Sequence, residues 1–328
     1  MSLSKTKASA LERGTTLRAE AESTLGKFSL FGFGKTQKHE DAAEKFKASG
    51  NAYKLGEDFN NAAEMFLKAS EHFTIGDSAT DSVSMMVEAA NCYEKDKNLA
   101  EALSAYQKAV EKYNISGRFS RSSQYMKKIA EIYEGNKDYE EAFDAYEQAA
   151  SMYESDNKKS AAQGCYLKIA NMAMEQDIFD KGAEIYTKIG IECMESNLGK
   201  YAAKGHFFNA ALCLLAQGDL VAITNKLEEF KNVDFSFGSS RECQFVEELV
   251  SAVSENSSQA YAQACADFDR ISPLDPTKTH VLMKGKSNIM EESDEVDLNG
   301  TVGGGAAATG GEAVSAIADE EEEEEDLT

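Results

Sequence analysis

Tyr139-Glu-Glu-Ala-Phe-Asp-Ala-Tyr-Glu-Gln-Ala-Ala-Ser-Met-Tyr153 sets Tyr139, Ala142, Phe143, Tyr146, Ala149, Ala150 and Tyr153 on one face of a helix. Steps of three and four residues between apolar side chains are the mark of an α-helix packed on one side. Just upstream, Met126, Ile129, Ala130 and Tyr133 share a second helical face. The segment Glu134-Gly-Asn-Lys-Asp138 breaks the pattern between them. Its Gly-Asn step predicts a turn, and so an antiparallel helix pair.

This unit recurs every 40 residues, as the aromatic series Phe66, Tyr106, Tyr146, Tyr186 shows. Phe59, Leu99, Tyr139 and Phe179 keep the same step, as do Ala62, Ala102, Ala142 and Gly182, and Ala69, Ala109, Ala149 and Ile189. A small-residue series, Gly50, Ala90, Ala130, Ala170 and Ala210, precedes them, beside Tyr53, Tyr93, Tyr133, Ala173 and Cys213. The small residue lets the neighbouring helix come close, and the aromatic fills the space left opposite. One hairpin cannot bury both faces, so neighbours must stack. The expected fold is all-α: a right-handed superhelical array of antiparallel helix hairpins. It is like a tetratricopeptide array, with a period of 40 instead of about 34 residues.

The period fades after about residue 215, while 219–231, 241–254 and 257–270 still read as helices. Ser272-Pro-Leu-Asp-Pro276 reads as a turn and 277–290 as a last short helix. The expected organisation is an N-terminal helix and loop over 1–38, the array over 39–215, a helical bundle over 216–290 and a disordered acidic tail over 291–328. Gly303–Gly305, Ala306–Ala308 and the acidic run 319–326 have no means of building a core.

Net charge is −23, yet fourteen of the acidic residues lie in 291–328, where no Lys or Arg occurs. Residues 1–38 instead hold seven Lys or Arg against three Glu. Opposite ends of opposite sign suggest different partners at each. The six cysteines are dispersed and read as reduced core thiols. No apolar run reaches membrane-spanning length and no secretory leader follows Met1, so a cytosolic protein is expected. Phosphate loops, zinc patterns and nucleophile elbows are missing, and His39, His72, His206 and His280 stand far apart. Neither an enzyme, nor a cofactor, nor nucleic-acid binding is expected from this pattern.

Phe28-Ser-Leu-Phe-Gly-Phe-Gly34 is out of place in a solvent loop, with Lys27, Lys35 and Lys38 around it. Phe28, Leu30, Phe31 and Phe33 have two readings: contact with a membrane surface, aided by the lysines, or a fold back onto the first helix pair.

Several blocks in register resemble the soluble NSF attachment proteins, the alpha subtype more than gamma. They are Phe28–Gly34 with Asp41-Ala-Ala-Glu-Lys-Phe46, Gly117-Arg-Phe119, Ile129–Glu134, Tyr146-Glu-Gln-Ala149, Lys204-Gly-His-Phe-Phe208, Ala210–Cys213 and Ser240-Arg-Glu-Cys243. The resemblance implies a non-enzymatic adaptor, peripheral on the cytosolic face of membranes. It would coat the SNARE four-helix bundle and recruit the hexameric ATPase NSF for disassembly. It further implies that Arg118, Lys168, Lys200, Lys204 and Arg241 face the acidic bundle from the concave side. Gln124 and Gly164 depart from the family, which commonly has lysines there. Arg121 and Lys128 stand three and four residues from Gln124 on one helical face and can restore the charge, as Lys168 can for Gly164. The family's acidic, leucine-bearing C-terminus matches Asp297-Leu298 by distance from the core and Asp326-Leu327 by terminal position. Leu327 is favoured because it keeps the acidic run as well as the chain end. The rival reading is a generic peptide-binding scaffold of tetratricopeptide type, which has no use for a membrane loop.

Overall fold

The structure, a computed structural model, describes residues 2–26, 35–195 and 199–289. The chain divides into two units, Met1–Met290 and Glu291–Thr328, and the second lies wholly outside the described residues. Among the described residues every regular element is a helix. The array comprises α1 (Ser2–Gly26), α2 (Lys35–Leu55), α3 (Phe59–Ile75), α4 (Ala79–Lys95), α5 (Leu99–Ile115), α6 (Phe119–Asn136), α7 (Tyr139–Ser155), α8 (Lys159–Glu175), α9 (Phe179–Cys193) and α10 (Lys200–Gln217). Each packs on the helix before it and the helix after it, the contact order of a hairpin array.

From α3 to α9 the helices begin at residues 59, 79, 99, 119, 139, 159 and 179. The 40-residue period is therefore two equal strides. Every stride ends in one residue with left-handed backbone: Glu57, Asp77, Lys97, Gly117, Lys137, Asn157 and Asp177, with φ between 57° and 69°. The next amide then reaches back five residues, as in Asp58 N to Tyr53 O, Asn98 N to Tyr93 O and Asp138 N to Tyr133 O, at 2.9 to 3.0 Å. This is a Schellman closure, which satisfies carbonyls that the helix end would leave bare.

Only Gly117 among these seven is a glycine. The expectation of a Gly-Asn turn at Gly135-Asn136 is thus corrected: both residues belong to α6, and Lys137 makes the reversal. A left-handed conformation costs a non-glycine about 1–2 kcal/mol. Burying the apolar faces on both sides of the turn, Ile129 and Ala130 before it and Ala142 and Phe143 after it, outweighs that. Tertiary register places the turn, and local propensity yields.

Most of the repeat series is core, while Phe59, Leu99, Tyr133 and Tyr139 are half-buried against it. Tyr106, Tyr146, Tyr186 and Phe66 are fully buried, as are Ala90, Ala130, Ala170 and Ala210. At Gly50 a β-carbon would stand 2.9 Å from the Phe66 ring, so the close approach needs a glycine there.

Beyond α10 the path changes to α11 (Leu220–Val233), a single turn α12 (Phe235–Gly238), α13 (Arg241–Ser254), α14 (Ser258–Asp269) and α15 (Pro276–Lys286). The three expected helices are present, and α12 is added between the first two. Here side chains do cap the helices: Asp219, Asp234, Ser240, Ser257 and Asp275 each accept from a backbone amide in the first turn. An aromatic cluster replaces the repeat, with Phe207 against Phe230 at 4.6 Å and Phe245 against Phe268 at 4.2 Å between ring centroids.

Candidate functional site

Helices α2, α4, α6 and α8 are joined in sequence by ion pairs that recur with the repeat. Lys54 of α2 meets Glu88 of α4 at 2.6 Å, Lys128 of α6 meets Glu94 of α4 at 2.8 Å, and Lys168 of α8 meets Glu134 of α6 at 2.8 Å. Lys204 of α10 continues the row, pairing with Glu242 of α13 at 3.1 Å.

The carboxylates at the repeat positions are themselves held. The Tyr106 hydroxyl is shared between Asn91 Oδ1 at 2.6 Å and Glu94 at 3.0 Å, and Tyr146 donates to Glu134 at 2.5 Å. Burial, followed by the adjacent carboxylates, pushes both phenols far above their ordinary value, so they remain donors. Burial alone would raise Glu134, but the bonds from Lys168 and Tyr146 win and hold its carboxyl below the usual range. In the first repeat Phe66 lacks the hydroxyl, and the charges are exchanged. Lys54 then stands 5.4 Å from the centre of the Phe66 ring, a cation–π contact in place of the hydroxyl bond.

The seven basic residues expected on the binding face all lie on α6, α8, α10 and α13 or at their first residues. Arg118 opens α6, exposed, and its Nη2 donates to Thr80 at 3.0 Å. Arg121 is exposed one turn on, and Lys200 is exposed at the start of α10. Arg241 begins α13, donates to Ser272 at 3.2 Å and lies 5.4 Å from the Phe268 ring centre. Gln124 is exposed on α6, and a β-carbon at Gly164 would meet no atom within 4 Å. A longer side chain would fit at Gly164, so its absence there is not a packing demand.

Sequence reading found Lys128, Lys168 and Lys204 but missed Lys54 and the glutamates that answer them all. The signal was available: Lys54–Glu88, Glu94–Lys128 and Glu134–Lys168 are opposite charges 34 residues apart, repeated in the 40-residue register. Phe28, Leu30, Phe31 and Phe33 lie outside the described residues, as do Asp297, Leu298, Asp326 and Leu327. Cys92, Cys165, Cys193, Cys213 and Cys243 are buried and unpaired, and Cys265 is half-buried. Burial pushes the Cys92 thiol up to about 11 and that of Cys213 up to about 12, far from a reactive thiolate. Among the described residues no helix is long and apolar enough to cross a membrane.

Stacked hairpins with a shared row of charged helices define a helical-repeat scaffold. The chain belongs to the soluble NSF attachment protein family: the model of the family described as "Soluble NSF attachment protein, SNAP" matches residues 12–290. The alpha-soluble NSF attachment protein of Vitis vinifera is 34% identical over 289 residues, 88% of this chain and 98% of that one. The vesicular-fusion protein SEC17 of Komagataella phaffii is 32% identical over 268 residues, 81% of this chain and 90% of its own. The beta-soluble NSF attachment protein of Bos taurus is 34% identical over 262 residues, 80% and 88% of the two chains. Its role is that of an attachment protein in vesicle fusion, an adaptor and not an enzyme.

Proposed function

We propose that this chain lays the α6–α8–α10–α13 row against an acidic SNARE four-helix bundle and recruits the NSF ATPase to take it apart. The observation that carries the reading is the gathering of Arg118, Arg121, Lys128, Lys168, Lys200, Lys204 and Arg241 onto one row of helices. Residues 1–290 hold 34 Lys or Arg against 43 Asp or Glu, so this arrangement runs against a mildly acidic background. Phe28, Leu30, Phe31 and Phe33 supply a weak anchor on the cytosolic face of a membrane, and the acidic end supplies the ATPase contact, with Leu327 its apolar anchor in preference to Leu298.

Capture of soluble SNARE bundle by the full chain tests the face. Arg121→Glu with Lys200→Glu, both exposed, should weaken capture about tenfold or more, and raised salt should weaken the parent similarly. Undiminished capture would move the contact to another surface. In the same assay with NSF and ATP, Phe28→Ser with Phe31→Ser should slow disassembly only when the SNAREs are anchored in liposomes. Leu327→Ala should lower disassembly in both formats, whereas full activity after truncation at Asn299 would hand the role to Leu298.

A further inference from the structure

Three of the basic residues on the proposed face are already answered from within the chain. Lys128, Lys168 and Lys204 each pair with a carboxylate that comes from a different helix, Glu94 of α4, Glu134 of α6 and Glu242 of α13. The lysine side chains keep 37% to 45% of their surface exposed, while the glutamates keep only 23% to 31%. In each pair the lysine is thus the more exposed member and the glutamate the more buried one. The buried Tyr146 holds Glu134 in place by its hydroxyl, and Glu94 lies 3.0 Å from the Tyr106 hydroxyl, which it shares with Asn91.

We infer that Glu94, Glu134 and Glu242 are built-in competitors, paired with the binding lysines to limit how tightly the face holds an acidic partner. This rests on the reading of that row as the surface for an acidic helical bundle. A carboxylate arriving from the partner has to share its ammonium with one that is already in place and oriented. A single stray anion gains little from that exchange. A bundle that presents carboxylates to Lys128, Lys168 and Lys204 together, and to Arg121 and Lys200 besides, gains the sum. The face thus discriminates by number and spacing of charges, and it releases its partner when the contacts are broken one at a time.

Titration of the full chain with soluble SNARE bundle, at low and at physiological salt, tests the competition. Glu94→Gln, Glu134→Gln and Glu242→Gln should each tighten binding about two- to fivefold, the range expected for releasing one exposed ion pair. The triple variant should gain tenfold or more. Glutamine keeps an acceptor for the tyrosine hydroxyls, and Glu242 lies beyond the repeats, so its variant stands even if a repeat variant folds poorly. Glu147→Gln makes the same charge change on α7, where the partner is Lys181 of α9 at 2.8 Å, and should leave binding within twofold. Equal tightening by Glu147→Gln would assign the effect to net charge and overturn the inference. Unchanged or weaker binding in all three variants would overturn it too, provided Arg121→Glu with Lys200→Glu still loses the bundle. If that double variant binds normally, the reading of the face itself fails, and this inference with it.

Discussion

At Lys137 the backbone is left-handed, φ 68°, on an exposed residue whose side chain enters none of the described ion pairs. Glycine removes the steric cost of about 1–2 kcal/mol but adds about 0.4–1 kcal/mol of unfolded-chain entropy. Lys137→Gly should therefore stabilise by about 0.5–1 kcal/mol, read as a higher denaturant midpoint with unchanged helix content. Glu57 has the same backbone but pairs with Lys7 at 2.5 Å, so Glu57→Gly should gain less. An equal gain at both sites would mean that the Lys7 pair contributes nothing. The same residues show why the sequence could name the hairpin and yet misplace its turn. Gly135 and Asn136 carry the local preference for reversal, and Lys137 carries the position that the buried faces require. Local preference is legible in a few letters. The demand of the faces is legible only through the 20-residue stride, which the aromatic series hide because they mark every second helix.

At the scale of the element, α15 shows how a helix outside the repeat is fastened. Asp177, the left-handed residue between α8 and α9, accepts from His280 at 2.7 Å and from Lys284 at 2.6 Å. Asn288 donates to Leu215 O at 3.1 Å, and Tyr261 donates to Leu282 O at 2.8 Å. The Lys284 ammonium, against a smaller opposing effect of burial and with help from His280, holds the Asp177 carboxyl below its ordinary value. A depressed acid stabilises above the ordinary carboxylate range, near 4, and that contribution is lost as pH falls through the lower folded value. Amide exchange in α15 should thus speed up below about pH 4 relative to α13. Asp177→Asn should do the same at pH 7, since asparagine tolerates the left-handed backbone and leaves the turn intact. Unaltered protection of α15 in that variant would show that the clip is not what fastens it. None of this was legible in the sequence, because Asp177 and His280 are 103 residues apart and share no register.

For the whole molecule, the core is built in three clusters. One gathers Phe46, Phe66 and Tyr93 over α1 to α5, a second gathers Tyr113, Phe143 and Tyr153 over α4 to α8, and a third gathers Phe207, Phe230 and Phe245 from α8 to α15. Along the array, contacts run between sequence neighbours, so its stability is close to a sum over neighbouring pairs, whereas α15 and α13 fold back onto α10. Phe207→Ala, which removes a ring stacked on Phe230 and set edge-on to Phe237, should cost about 3–5 kcal/mol in the third cluster. Exchange protection should collapse from α10 to α15 and persist in α3 and α4, and a uniform loss across the chain would show a single cooperative unit. The array was legible in the sequence at this scale because forty-residue self-similarity is a global signal. The capping bundle was legible only as separate helices, since its packing of Phe207, Phe230 and Phe237 follows no period.

The even stride also makes length a free variable of this fold. Residues 99–138 run from the start of α5 to the last linker residue after α6, two strides in all. Excising them joins Asn98 to Tyr139, the residue that opens the next equivalent helix. Glu94 would then face Lys168 where Lys128 stood, and Tyr146 would inherit the place of Tyr106 beside it. Such a shortened chain should fold with all its seams matched, and circular dichroism should show the same ellipticity per residue. Excision of 30 residues instead should not, because it lands an apolar face on the wrong side of the joint. A lineage carrying this scaffold can lengthen or shorten it by copying or dropping one hairpin, without inventing a new junction.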